Sequence, residues 1–310
     1  MVIKRKDFIG LKDLTAEEIL YILDTAETMK YVFNQKNKKA PHLQGKSIVL
    51  LFYENKSRTK VSYELAGQYL SANIVDMTVS HSLEAKESIL DMGRIVDQMG
   101  ADFIVIRHPM SGSAQFLAEN VSSCVINAGD GLNENPSQSL LDLMTIRGEK
   151  GRVEGLKVAL IGDVLNSRVA RSNIWALLKL GAEVSVSGPL TLIPEDIESF
   201  GVSVYMDPED AVKDADVIMS LRMMQEEDQY VNTLPSFNEY KNLFEINSRL
   251  IAEAKKDVII MHPGPIKRGI EISSGLIDSS RCLVNDQIAN GVAVRMAMLY
   301  ILSLRGGIMI

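Results

Sequence analysis

The segment FYENKSRTKVSYE at 52–64 joins an apolar run to a helical pattern through a polar turn, and the helix begins at Ser57, Arg58 and Thr59. The first turn of a helix presents main-chain N–H groups at the positive end of its dipole and so makes an anion site, to which Arg58 and Thr59 would add a charged and a neutral donor. A plainer reading stands beside this one, with Ser57 as an N-cap and Arg58 as a solvated first-turn side chain. Arg168 follows KVALIGD (157–163) at another helix start, where the dipole again favours an anion, although alone it and Arg171 read equally well as exposed helix arginines. Metal and nucleotide chemistry find no motif. His42, His81, His108 and His262 lie far apart without a His-x-x-x-His spacing, and there is neither a G-x-x-x-x-G-K-S/T loop nor a G-x-G-x-x-G after a strand.

These residues must be held by a framework, and the chain supplies one in two series. SIVLLFY (47–53), NIVDMTV (73–79), DFIVIRH (102–108) and CVIN (124–127) alternate with helical patterns, which predicts a parallel sheet with helices on its faces. Val61, Leu65 and Tyr69, and then Ile89, Met92, Val96 and Met99, give the intervening helices their apolar stripes. A second series runs through KVALIGD (157–163), AEVSVSG (182–188), DVIMSLR (216–222) and DVIIMHP (257–263). PSQSLLDLMTIR (136–147) reads as a helix joining the two, and the glycine-rich GEKGRVEG behind it places the boundary near 150. The expected fold is therefore α/β, with domains at 1–150 and 151–285, each a parallel sheet with helices on both faces. A final helix at 286–304, with Val292, Met296, Leu299 and Tyr300 on one face, is expected to pack back on the first domain.

Length and composition agree with two globular cores: 310 residues, 46% hydrophobic and 24% charged. A net charge of -7 opposes nucleic acid and membrane surfaces as partners, so an anionic ligand needs a local basic pocket. Cys124 and Cys282, in SSCVIN and SRCLVN, read as parts of short strands and offer no disulfide or metal spacing, which suits a reducing cytoplasm. No run approaches about 18 apolar residues, and the start MVIKRKDFIGLKDL lacks the pattern of an export signal.

The ordered set of polar segments resembles the aspartate/ornithine carbamoyltransferase family, and its aspartate branch in particular, over roughly residues 5–305. Lys56, Ser57, Arg58, Thr59 and Lys60 stand in the place of its Ser-Thr-Arg-Thr-Arg carbamoyl phosphate motif. VIRHP (105–109) resembles the strand end whose arginine, here Arg107, touches the carbonyl and phosphate of that substrate. INAGDGLNENPSQSLLDL (126–143) resembles the Asn-Ala-Gly-Asp-Gly signature and interdomain helix, with Gln138 at the position that binds the carbamoyl amide. MHPGPIKRGIEI (261–272) resembles the loop whose carbonyls, here of Gly264 and Pro265, accept from the same amide. GDVLNSRVARSN (162–173) and SLRMMQEE (220–227) resemble the segments that supply the aspartate-binding arginines, here Arg168 and Arg222. Arginine suits a dicarboxylate, because it is always charged and engages carboxylates bidentately.

The resemblance implies transfer of the carbamoyl group from carbamoyl phosphate to L-aspartate in pyrimidine biosynthesis, with no metal or organic cofactor. It also implies a homotrimer whose sites are shared between subunits; a regulatory chain as a further partner stays open. Five positions depart from the family pattern. Lys56 replaces a serine, Lys60 an arginine, Asn135 a histidine on the carbamoyl carbonyl and Met224 a glutamine, while Ala85 aligns with a lysine contributed by a neighbouring subunit and Lys86 is one residue away. Asn135, followed by Pro136, reads as the N-cap of the joining helix, its amide oxygen held by the N–H of Ser137 or Gln138. The departures leave two alternatives open: another amine acceptor, or a catalytically impaired relative acting as a binding or assembly subunit. Against ornithine, MHPGP lacks the His-Cys-Leu-Pro signature of the ornithine enzymes.

Overall fold

The computed structural model describes residues 3, 5–53, 58–78, 88–223 and 236–304. The chain divides into two compact units, Met1–Met144 with Ala289–Ile310, and Thr145–Ile288. In the first, helix α1 (Ala16–Phe33) opens on a capping box between Thr15 and Glu18 and buries Ile19, Ile22, Leu23, Ala26 and Met29, a stripe of helical period. Then follow β1 (Ser47–Phe52), α2 (Arg58–Tyr69), β2 (Asn73–Thr78), α3 (Ile89–Gln98), β3 (Phe103–His108), α4 (Ser113–Ala118) and β4 (Cys124–Asp130). The four strands are parallel in the order β2-β1-β3-β4.

Helix α5 (Pro136–Lys150) carries the chain into the second unit. There β5 (Lys157–Ile161), α6 (Arg168–Lys179), β6 (Glu183–Ser187), β7 (Ser203–Tyr205), α7 (Pro208–Val212), β8 (Val217–Ser220), α8 (Phe237–Phe244), β9 (Ile259–Met261) and α9 (Ser274–Ile277) build a five-stranded parallel sheet, order β7-β6-β5-β8-β9. Helix α10 (Val284–Ser303) follows, and from Ala289 onward it belongs to the first unit. Central strands are buried on both faces, as their continuous Val, Ile and Leu runs require. Strand β7 was not legible: three residues at the sheet edge, half exposed, leave no apolar run to read.

Three readings are corrected in detail. Helix α2 does not bury the Val61, Leu65 and Tyr69 stripe; Val61 is 52% exposed, and Tyr63, Ala66 and Gly67 face inward. A Cβ on Gly67 would come within 2.8 Å of Ile74 and 3.0 Å of Ile48, so close approach to the sheet, not side-chain size, selects the inner face. Met99 lies at the C-cap of α3 and is 79% exposed. Cys282 lies in no strand and makes only an isolated bridge to Ile260, while Cys124 opens β4. Among the described residues no helix is long and apolar enough to cross a membrane.

Candidate active site

Strand order places the candidate residues of each unit at one feature. In the first sheet the chain moves from β1 to β2 on one side and then returns to lay β3 on the other, so β1 and β3 flank the point where the winding reverses. Connections leave such a pair in opposite directions and open a crevice beyond the carboxyl ends of the strands. Arg58 begins α2, the helix that follows β1, and Arg107 lies near the end of β3, paired in register with Phe52. Thr59 stands in the first turn beside Arg58. In the second sheet the winding reverses between β5 and β8. Arg168 begins α6 after β5, and Arg222 follows β8 directly, its neighbour Leu221 donating to the Ile161 carbonyl at 2.8 Å. Gly264 and Pro265 follow β9, the strand next to β8.

Local chemistry explains how each group is held. Arg107 Nη1 reaches the Ala128 carbonyl at 3.4 Å, and Tyr53 donates its N–H to the Arg107 carbonyl at 3.0 Å. Asp130, at the end of β4, accepts from the side chains of Asn127 (2.7 Å) and Asn133 (3.0 Å) and from the N–H of Gly112 (2.7 Å), which binds the turns after β3 and β4 into one body. Gln138, in the first turn of α5, donates its side-chain amide to Asp142 at 3.0 Å. Around Arg168, Asp163 is fully buried and accepts from the N–H and the side chain of Asn166 at 3.0 and 3.1 Å, while Ser167 caps the helix through the Ala170 N–H. Gly162 sits at φ 126°, where a Cβ would meet the Tyr240 hydroxyl at 2.6 Å; only glycine lets that turn close.

Asn135 is buried, 5% exposed. The N–H groups of Gln138 and Ser139 donate to its main-chain carbonyl at 3.0 and 3.3 Å, and its side-chain oxygen accepts from the N–H of neither Ser137 nor Gln138, against the cap reading. Lys60 pairs with Asp76 of β2 at 2.7 Å, tying α2 to its sheet. Lys56, Ser57, Ala85, Lys86 and Met224 lie outside the described residues.

Two groups escaped the sequence reading. Arg295 of α10 is 3% exposed; its guanidinium donates to Ser62 of α2 at 2.9 Å and to Ser137 of α5 at 3.2 Å and lies 5.2 Å from the Tyr63 ring. Burial lowers its pKa, with Arg107 adding to the effect and Tyr63 and Asp142 opposing it. Its only sequence signal is one charge inside the apolar run VAVRMAMLYIL. His262 and Glu271, both without exposed side-chain surface, are joined at 3.0 Å. Burial alone would raise the Glu271 carboxyl, but hydrogen bonds from His262, Lys267 and Met223 overcome it and hold the group below the ordinary carboxylate range. Among the described residues no three His, Cys, Asp or Glu side chains cluster as metal ligands.

Two doubly wound units, each with arginines at its own point of reversal, define an α/β protein with a candidate anion site on either half. The chain belongs to the aspartate/ornithine carbamoyltransferase family, whose carbamoyl-P binding domain matches residues 6–148 and whose Asp/Orn binding domain matches residues 154–302. It is 56% identical over 306 residues to the aspartate carbamoyltransferase catalytic subunit of Acetivibrio thermocellus, covering 98% of each chain. The corresponding subunit of Ruminiclostridium cellulolyticum is 52% identical over 307 residues, 99% of this chain and 98% of that one. Among solved structures, the catalytic subunit of M. jannaschii aspartate transcarbamoylase superposes with a TM-score of 0.85 at 34% identity, covering 98% of this chain and 99% of the other.

Proposed function

We propose that the chain transfers the carbamoyl group of carbamoyl phosphate to the amine of L-aspartate, giving N-carbamoyl-L-aspartate and inorganic phosphate, a step of pyrimidine biosynthesis. The observation that carries this reading is the placement of Arg58, Thr59 and Arg107 at the β1/β3 reversal and of Arg168 and Arg222 at the β5/β8 reversal. The first group suits a phosphate and the carbonyl beside it; the second suits two carboxylates. The aspartate nitrogen attacks the carbamoyl carbon, the bond from that carbon to the phosphate oxygen breaks, and the departing phosphate takes the amine proton. Arg107 and Thr59 stabilise negative charge as it develops on the carbonyl oxygen, while Gln138 and the carbonyls of Gly264 and Pro265 accept from the carbamoyl NH₂.

We further infer a cytoplasmic homotrimer with shared sites, in which Ser57 joins the carbamoyl phosphate site as the family pattern implies, while Lys86, one residue from the position where that pattern has a lysine, is left out of the reading. Phosphate release from carbamoyl phosphate, measured with aspartate, ornithine and other amines, tests the reading together with sedimentation velocity. Aspartate-dependent release by a trimer is expected. Release with another amine alone would move the acceptor, and none with any amine would leave a binding or assembly subunit.

A further inference from the structure

His262 and Glu271 form a buried, hydrogen-bonded polar pair of the second unit, and the bonds of their side chains end on segments that carry a proposed ligand. His262 Nδ1 accepts from the Gly264 N–H at 2.7 Å, which leaves the ring proton on Nε2, where it is donated to Glu271 Oε2 at 3.0 Å. The same carboxylate oxygen accepts the Lys267 N–H at 2.7 Å, and Oε1 accepts the Met223 N–H at 2.8 Å. Lys267 then returns through Nζ to the Met223 carbonyl at 3.0 Å, and Gln287 Oε1 holds the His262 N–H at 3.0 Å. One end of the pair thus fixes Gly264, and the other fixes the residue after Arg222. A buried carboxylate is costly to desolvate, and an apolar pair of equal volume would serve packing as well or better, so its bonding pattern calls for a role other than stability.

We propose that His262 and Glu271 are positioning residues for the carbamoyl transfer: the imidazole sets the register of the Gly264–Pro265 carbonyls, and the carboxylate sets that of the main chain bearing Arg222. This rests on the reading above, in which those carbonyls meet the carbamoyl amide and Arg222 meets aspartate. The two ends of the pair should therefore be felt by different substrates. An asparagine at 262 places its side-chain oxygen near the Nδ1 position and keeps the bond to Gly264, whereas a glutamine reaches toward Glu271 and loses it. At 271, a glutamine removes one acceptor oxygen and sets an NH₂ against main-chain donors.

The test is steady-state kinetics of the full-length protein with both substrates varied, for wild type, His262→Asn, His262→Gln and Glu271→Gln, each checked by near-UV circular dichroism and thermal unfolding. A buried donor left without its acceptor should raise the affected KM by about tenfold. His262→Gln is expected to raise KM for carbamoyl phosphate by that factor, His262→Asn by no more than about threefold, and Glu271→Gln to act mainly on KM for aspartate. Equal effects of the two His262 variants on KM for carbamoyl phosphate, or a fall in apparent kcat in proportion to lost folded protein with both KM values unchanged, would overturn the proposal in favour of a purely structural pair. Unchanged kinetics in folded variants would overturn it as well. Wild-type protein without aspartate-dependent turnover would instead bring down the transferase reading on which the proposal stands.

Discussion

The side-chain amide of Gln138 donates to Asp142 Oδ1 at 3.0 Å, one turn further along α5, and this fixes which end of the amide is left to meet a ligand. With the NH₂ committed to a carboxylate, Oε1 is the free end, an acceptor suited to an N–H donor such as a carbamoyl amide. Asp142→Asn removes the preference, because an amide neighbour accepts or donates equally well. Initial-rate measurements should show KM for carbamoyl phosphate rising by about threefold to tenfold with little change in kcat, since the contact is made in the ground state and the transition state alike.

Arg295 ties α10 to α2 and α5 through Ser62 and Ser137, beneath the helix starts that carry Arg58 and Gln138. Arg295→Met removes the charge and both hydrogen bonds while keeping much of the volume. It should lower unfolding free energy by about 3 kcal/mol or more in urea titrations, since the buried Asp142 loses a favourable charge. Arg295→Lys should recover only part of this, because a single ammonium cannot span two hydroxyls in the planar fork of a guanidinium.

Asn135, which the sequence resemblance sets against a histidine, is buried just before the start of α5. An amide still donates to a developing oxyanion, though without positive charge. If its NH₂ supplies that donor, Asn135→Ala should reduce kcat by about 10²–10³-fold, and Asn135→His should raise it above wild type with carbamoyl phosphate affinity nearly unchanged. A wild-type kcat in the Asn135→Ala protein would remove Asn135 from the mechanism.

Glu271 supplies a pH dependence whose sign can be worked out. Its pKa is lowered in the folded protein from an ordinary 4.5. The folded state therefore holds the proton less tightly than the unfolded state, so the stabilisation is complete above about pH 4.5 and is lost as pH falls through the lower folded value. Urea unfolding of wild type and Glu271→Gln, compared between neutral pH and the region below 4.5, should show the gap between them narrowing in acid. A gap that stays constant would mean the carboxylate contributes no linkage.

The strands other than β7, the helix starts beside the candidate site and the arginines there were legible in the chain itself. Their signals are local: a run of Val, Ile and Leu buried on both faces, a polar turn, then a capped helix, all inside windows of about a dozen residues. What the chain did not state is which strands lie side by side. Only the orders β2-β1-β3-β4 and β7-β6-β5-β8-β9 put Arg107 beside the strand that leads to Arg58, and Arg222 beside the strand that leads to Arg168. Tertiary packing likewise chose the small-residue face of α2, gave Lys60 its partner Asp76, and buried Arg295 against hydroxyls more than 150 residues away in sequence. A buried polar group must find its partner wherever the fold brings one, and desolvation enforces the match without leaving any periodic trace in the sequence.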